Sequence, residues 1–303
     1  MSKRMLSAIV CAALAAAWAC PAGADEAAKQ AGKVMQDYAK AVVAVEAVLT
    51  VSAEGALAAR MGGNQEQKVQ IVGTVVDPSG LTVVSYINLN PASALSNVKV
   101  RGGDGQEMTM TIKGELTEVK ICLPDGTEIP ARVVLKDEDL DLAFIMPKDK
   151  LDNQAAGQIQ AVDLAKPAPK AQRLDQVVRL GRLGKDMNRE LVIELDRISA
   201  IITKPRMLYL LGGAQPGAPV FALDGELLGI IVFRKKAGGE GIGRGGPNIG
   251  GMPVILPTKD VKKIADQARE EAAKAPAATQ PTTKEAQTKE APATKPAADG
   301  KGS

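Results

Sequence analysis

Histidine is missing from all 303 residues, and that absence bounds the chemistry before any other residue is read. It removes the usual general base, the usual imidazole metal ligand and the usual switch near neutral pH together. A nucleophile would have to be Ser85 or Cys122, and either needs another activating base and partial exposure. Cys122 sits between Ile121 and Leu123, which reads as buried core, while Ser85 reads as the polar end of a strand. Asp137, Glu138, Asp139 and Asp141 gather carboxylates, yet without the alternating ligands and glycine of a calcium loop. They read as a solvated turn entering a strand. The glycines of Gly238 to Gly251 carry fragments of a phosphate-loop pattern. No strand-to-helix context supports one there, so the segment reads as a mobile loop. Arg234, Lys235 and Lys236 solubilise a strand end more readily than they make an acidic-partner site. The residues suggest no metal site and no cofactor.

The elements that must position these groups are mostly strands. A β-branched run, Ala41 to Val51, predicts the first, and Val69 to Val76 the second, with Ala58 to Gln67 as a loop between. Asp77-Pro78-Ser79-Gly80 is a tight turn, after which Leu81 to Ile87 is again apolar and extended. Pro124-Asp125-Gly126 joins Thr117–Leu123 to Thr127–Leu135 as a hairpin. Short strands follow at Asp141–Met146, Val177–Leu180, Glu190–Leu195, Ile198–Thr203, Met207–Leu211, Val220–Leu223 and Leu227–Phe233. Such spacing argues for an all-β sandwich or barrel pair. Helices are expected only at the two ends. One covers Asp25 to Lys40, with Val34, Met35 and Tyr38 on one side. The other begins at Thr258 as N-cap, carries Val261, Ile264 and Ala265, and fades after Glu271. The stretch from Ala92 to Glu115 is a polar insertion.

Composition places limits on partners. Hydrophobic residues make up 45% of the chain, enough for a core, and the net charge of +3 is not that of a nucleic-acid binder. Lys3 and Arg4, the apolar run Met5 to Ala19 and the small residues Ala22-Gly23-Ala24 read as a secretory signal over residues 1–24. Cys20 leaves a lipoprotein alternative, against which Trp18 counts. No later segment is apolar enough to span a membrane. With Cys11 and Cys20 in the signal, only Cys122 remains, so no internal disulfide can form. Residues 272–303, rich in Ala, Pro, Thr and Lys, cannot bury enough surface to order themselves and read as a disordered tail.

Three blocks, in order, resemble the signature blocks of HtrA-like (Do-like) trypsin-fold serine proteases. Gly73 to Ile87 is similar to the block that ends in the catalytic histidine, and Asp141-Leu-Ala-Phe-Ile145 to the block holding the triad aspartate. Gly213-Ala-Gln-Pro-Gly-Ala-Pro-Val220 resembles the nucleophile block. Two weaker echoes, Arg197-Ile-Ser-Ala200 and Gly251 to Pro257, keep the order. The resemblance runs from about Ala41 to Gln267. It implies a trypsin-like double antiparallel β-barrel over residues 41–271, led by the helical segment 25–40, with the site in the cleft between barrels.

The same resemblance implies that the machinery is lost. Ile87 stands at the histidine position and Pro216 at the serine position, leaving Asp141 with no imidazole to orient. Pro216 also lacks the N–H that would be one oxyanion donor. The expectation is a catalytically inactive homologue, a pseudoprotease, exported to the bacterial periplasm or outside. It would hold a protein or extended peptide by strand addition, with Gln215, Pro216 and Gly217 as the cleft loop. A homo-oligomer is in keeping with the family. The alternative is a serine-type endopeptidase or other hydrolase with a relocated site at Ser85 or Cys122.

Overall fold

The computed structural model describes residues 22–53, 63–95, 98–101, 107–213, 215–234 and 252–274. The expected leader up to residue 21, the internal glycine loop, Lys235, Lys236 and the tail beyond residue 274 lie outside them. Fifteen strands and few helices make up these residues, and no helix among them is long and apolar enough to cross a membrane.

The first six long strands close into an antiparallel barrel. They are β1 (Val42–Ala53), β2 (Gln65–Val75), β3 (Thr82–Ser85), β6 (Ile112–Cys122), β7 (Glu128–Asp137) and β8 (Leu142–Pro147), in the order β1-β2-β3-β8-β7-β6. Within the polar insertion, β4 (Val98–Arg101) and β5 (Glu107–Met110) pair as a separate ribbon. The segment expected to be a plain insertion thus carries its own hairpin, and its last residues begin β6. Extension also reaches further back than expected at β2. Gln65 to Gln67 pair with Val51 to Leu49, because the β1 partner supplies ladder bonds that local composition does not reveal.

The second unit is a seven-stranded sheet of β9 (Gln176–Arg182), β10 (Leu191–Arg197), β11 (Ala200–Ile202), β12 (Leu208–Leu210), β13 (Pro219–Ala222), β14 (Leu227–Arg234) and β15 (Met252–Pro257). Its order is β10-β9-β13-β14-β15-β12-β11. The two edge strands, β10 and β11, are joined directly through Ile198 and Ser199. Arg197 and Ala200 can therefore lie at most about 11 Å apart, so the sheet must curl into a half-barrel. A double β-barrel architecture is consistent with this pairing.

Alternation explains why some antiparallel strands are apolar on both faces. Val43, Val45, Val84, Ala143 and Ile145 point into the closed barrel. Their neighbours Val42, Val83, Leu142 and Phe144 point the other way, into a cluster shared with Val178, Leu180, Val220 and Phe221 of the second sheet. One core therefore joins the two units.

Helices close the ends. The first, α1 (Ala22–Tyr38), runs through the expected cleavage site, buries Ala31 and Val34, and stacks Tyr38 on Phe221 with centroids 4.4 Å apart. Between them come two single turns, α2 (Tyr86–Leu89) and α3 (Asn153–Ala156). The last helix, α4 (Thr258–Lys274), buries Val261, Ile264, Ala265 and Ala268 at helical spacing and outruns Glu271. Thr258 is its first residue rather than its cap. The hydroxyl donates to Leu227 O at 2.8 Å, so tertiary geometry claims the side chain that the local pattern assigned to capping.

Candidate functional site

The strand expected over Leu81 to Ile87 stops at Ser85, and there the seam between the two units is organised. Ser85 caps α2, its hydroxyl accepting from Asn88 N at 3.3 Å. That turn swings Tyr86 and Ile87 off the strand, and the Asn88–Pro91 run was the local signal for it.

Asp141 is the centre of the seam. It sits just before β8 in the left-handed region (φ 57), which Asp tolerates better than most residues. Contrary to the solvated turn expected for it, the side chain is 1% exposed. Its Oδ2 accepts from Ser85 Oγ at 2.8 Å and from Phe233 N of β14 at 2.6 Å. Oδ1 accepts from Ile87 N at 2.7 Å, and its backbone carbonyl accepts from Tyr86 N at 3.1 Å. A buried carboxylate is tolerated only with such donors. The rest of the acidic cluster matches a solvated turn, with Glu138 and Asp139 exposed and Asp137 Oδ1 accepting from Leu140 N at 2.9 Å. Beside it, the Arg234 guanidinium reaches Asp139 O at 3.5 Å.

The third part of the seam is the turn 215–218. Gly217 has φ 94, and a Cβ there would stand 2.0 Å from Val72 O and 3.6 Å from Ser85 N. Its N–H donates to Ile231 O at 2.8 Å, and its carbonyl accepts from Thr74 Oγ1 at 2.7 Å. Pro216 and Gly217 are buried. Gln215 is half-buried, and its amide donates to Arg182 O at 2.7 Å. The fold thus brings together Ser85, Ile87, Asp141 and Gly217 from three distant stretches. Thr74 and the Phe233 amide join them, and neither carried a recognisable sequence signal.

Chemically the seam holds one carboxylate, already engaged by three donors. Ser85 is fully buried and spends its hydroxyl on Asp141 and Asn88. Cys122 lies elsewhere, on β6, and burial pushes its thiol up to about 11. Its sulfur lies close to the carboxylates of Glu46 and Glu128. Arg189 already pairs with Glu46, and also with Glu128 at 3.4 Å. A cation would have to displace that guanidinium and deprotonate the buried thiol.

What fold and seam define is a class: a mostly β protein in which a closed barrel and a curled half-barrel are locked by a buried carboxylate. No protein-family model matches the chain, and no curated protein matches its sequence.

Proposed function

We propose that this chain is a degenerate HtrA-like, trypsin-fold protein that works as a peptide-binding or regulatory module of the cell envelope, without cutting what it binds. The observation that carries the reading is the hydrogen bond from Ile87 N to Asp141 Oδ1 at 2.7 Å. It joins the two positions that the resemblance aligns with histidine and aspartate. Gly217, next to the residue aligned with serine, packs beside Ser85, which supports the same alignment. On this reading the former site has become a joint. Its carboxylate holds a turn and the second sheet instead of an imidazole.

The magnitudes favour inactivity. Loss of nucleophile or base costs on the order of 10⁶ in rate. Loss of one oxyanion donor costs about 10²–10³, and the two do not simply multiply. The basic start and apolar run of the leader support export.

Hydrolysis of fluorescent casein and labelling with a fluorophosphonate probe test the proposal. The purified chain is expected to do neither. Turnover that persists through purification and disappears in Ser85→Ala or Cys122→Ala would overturn it.

A further inference from the structure

The two long strands β6 and β7 of the closed barrel are thinly paired for their length. β6 and β7 pair only through Lys120↔Pro130, Ile121↔Ile129 and Cys122↔Glu128. Beyond Pro130, which has no N–H to give the ladder, the strands part. Gly114 to Val119 continue to pair with β1, and Ala131 to Lys136 with β8, but not with each other. Each strand also carries a bulge in this stretch. Thr117 is the extra residue between Leu116↔Leu49 and Glu118↔Val48, and Val134 the extra residue between Val133↔Ile145 and Leu135↔Phe144. Bulges bend a strand and increase its local twist, so the two walls diverge.

Between the walls lies a cavity of about 810 Å³. In an antiparallel ladder, alternate residues turn their backbone groups away from the paired neighbour. The two walls do not pair with each other here, so each turns alternate N–H and C=O groups toward the same space. The floor is apolar, with Leu89, Leu116, Val119 and Val133 of the barrel interior. Asn90 also lines it. Its amide nitrogen donates to Gly114 O at 3.0 Å, but its buried Oδ1 has no partner. The rims differ in sign: Glu115 and Glu118 on one side, Lys136 and Lys148 on the other.

We propose that this gap accepts one extended segment of another polypeptide as an additional barrel strand. This rests on the peptide-binding reading above and gives it a place away from the seam. The inserted strand runs parallel to one wall and antiparallel to the other, since β6 and β7 are antiparallel. The two facing edges demand a stretch free of proline. The floor selects apolar side chains at every second residue. Rims of opposite sign disfavour a uniformly acidic or uniformly basic ligand on its solvent face.

The chain's own tail is the nearest competitor. It leaves α4 close to β7, where Arg132 Nη2 reaches Ala272 O at 3.5 Å. Residues 275–303, however, contain no large apolar side chain and are broken by four prolines. They cannot fill the floor.

The test uses the full chain and a fluorescein-labelled octapeptide of alternating valine and threonine, read by anisotropy and hydrogen–deuterium exchange. Saturable binding is expected, with slowed exchange in both 114–119 and 131–136. Methylating alternate peptide amides should weaken binding about tenfold or more, a control that leaves the protein untouched. Val134→Arg should weaken it comparably. Protection confined to residues 84–87 and 231–234 would overturn the gap as the acceptor while sparing peptide binding as such. Absence of saturable binding would overturn the gap too, and the hydrolysis assay would still stand on its own. Equal competition by a peptide of residues 282–291, or binding lost to self-association of the chain, would assign the gap to the tail or a second copy and overturn a foreign occupant.

Discussion

At the scale of single residues, Asp141 is the group whose chemistry the structure reassigns. Its carboxylate is an acceptor for one hydroxyl and two backbone amides from both halves of the molecule. Asp141→Asn keeps the shape and tolerates the same left-handed backbone, so it isolates the charge and its acceptors. We expect a loss of about 2–4 kcal/mol in urea unfolding, since charge-assisted bonds are removed and an amide N–H is turned toward donors. A loss below about 0.5 kcal/mol would mean that the carboxylate is not what locks the seam. Cys122 gives a pH-dependent prediction. Burial raises its folded pKa to about 11, so the unfolded chain releases the proton first. Stability should be complete below about pH 8.5 and fall as pH climbs toward 11. Burial also raises the hydroxyls of Tyr86 and Tyr209, which add a loss of the same sign at higher pH. Comparing the alkaline slope with that of Cys122→Ala measures the thiol's share. In the folded protein the thiol should resist alkylation until denaturant is added.

At the scale of elements, two glycines separate backbone strain from packing. Gly63 and Gly217 both have positive φ, 106 and 94, but a Cβ at Gly63 meets nothing within 4 Å. At Gly217 it meets the Val72 carbonyl at 2.0 Å. Gly63→Ala should cost about 1–2 kcal/mol, the price of the left-handed conformation alone. Gly217→Ala adds a clash between the seam turn and β2 that neither can relieve cheaply, and should cost about 4 kcal/mol or more. Equal effects in thermal melts would refute the packing between turn and barrel. The same logic covers Thr258. Thr258→Val removes one buried hydrogen bond to Leu227 O, an expected loss of about 1 kcal/mol.

At the scale of the whole molecule, the two units behave as one because a shared core and a few buried polar groups cross between them. Arg182 is the clearest case. From β9 its Nε donates to Val42 O at 2.9 Å, Nη2 to Ala39 O at 3.0 Å and Nη1 to Arg189 O at 3.3 Å. It thereby ties the end of α1 and the start of β1 to the second sheet. Arg182→Met should lose about 2–4 kcal/mol and unfold in a single cooperative transition. Two separated transitions would show that the barrel and half-barrel are independent. A further consequence concerns activity. Introducing Ile87→His and Pro216→Ser together should not create a hydrolase. Both positions are buried, and the Asp141 carboxylate is already committed. Casein hydrolysis by the double variant checks this.

By itself the sequence determined that the chain is mostly β, that strands fall near Val42, Val69, Thr117 and Leu227, and that helices lie at both ends. Those features follow from local propensity and turn chemistry at Asp125-Gly126 and Asp77 to Gly80. It also made Cys122 legible as core, because apolar neighbours in a strand mark burial. Other features depend on partners far away in the chain, and only the tertiary structure decided them. Gln65 to Gln67 extend because β1 offers a ladder, and Ser85 ends its strand to cap a turn. Thr258 turns its hydroxyl to a carbonyl thirty-one residues earlier. Asp141 belongs to a run of acidic residues that reads as a wet turn, yet donors from β14 and α2 make it a buried lock. The thin pairing of β6 with β7 was equally hidden. Pro130 hinted at it, but the bulges at Thr117 and Val134 exist only relative to the registers of β1 and β8. A side chain's burial and a strand's unpaired edge are properties of what packs against them, and that is set by pairings across the whole chain.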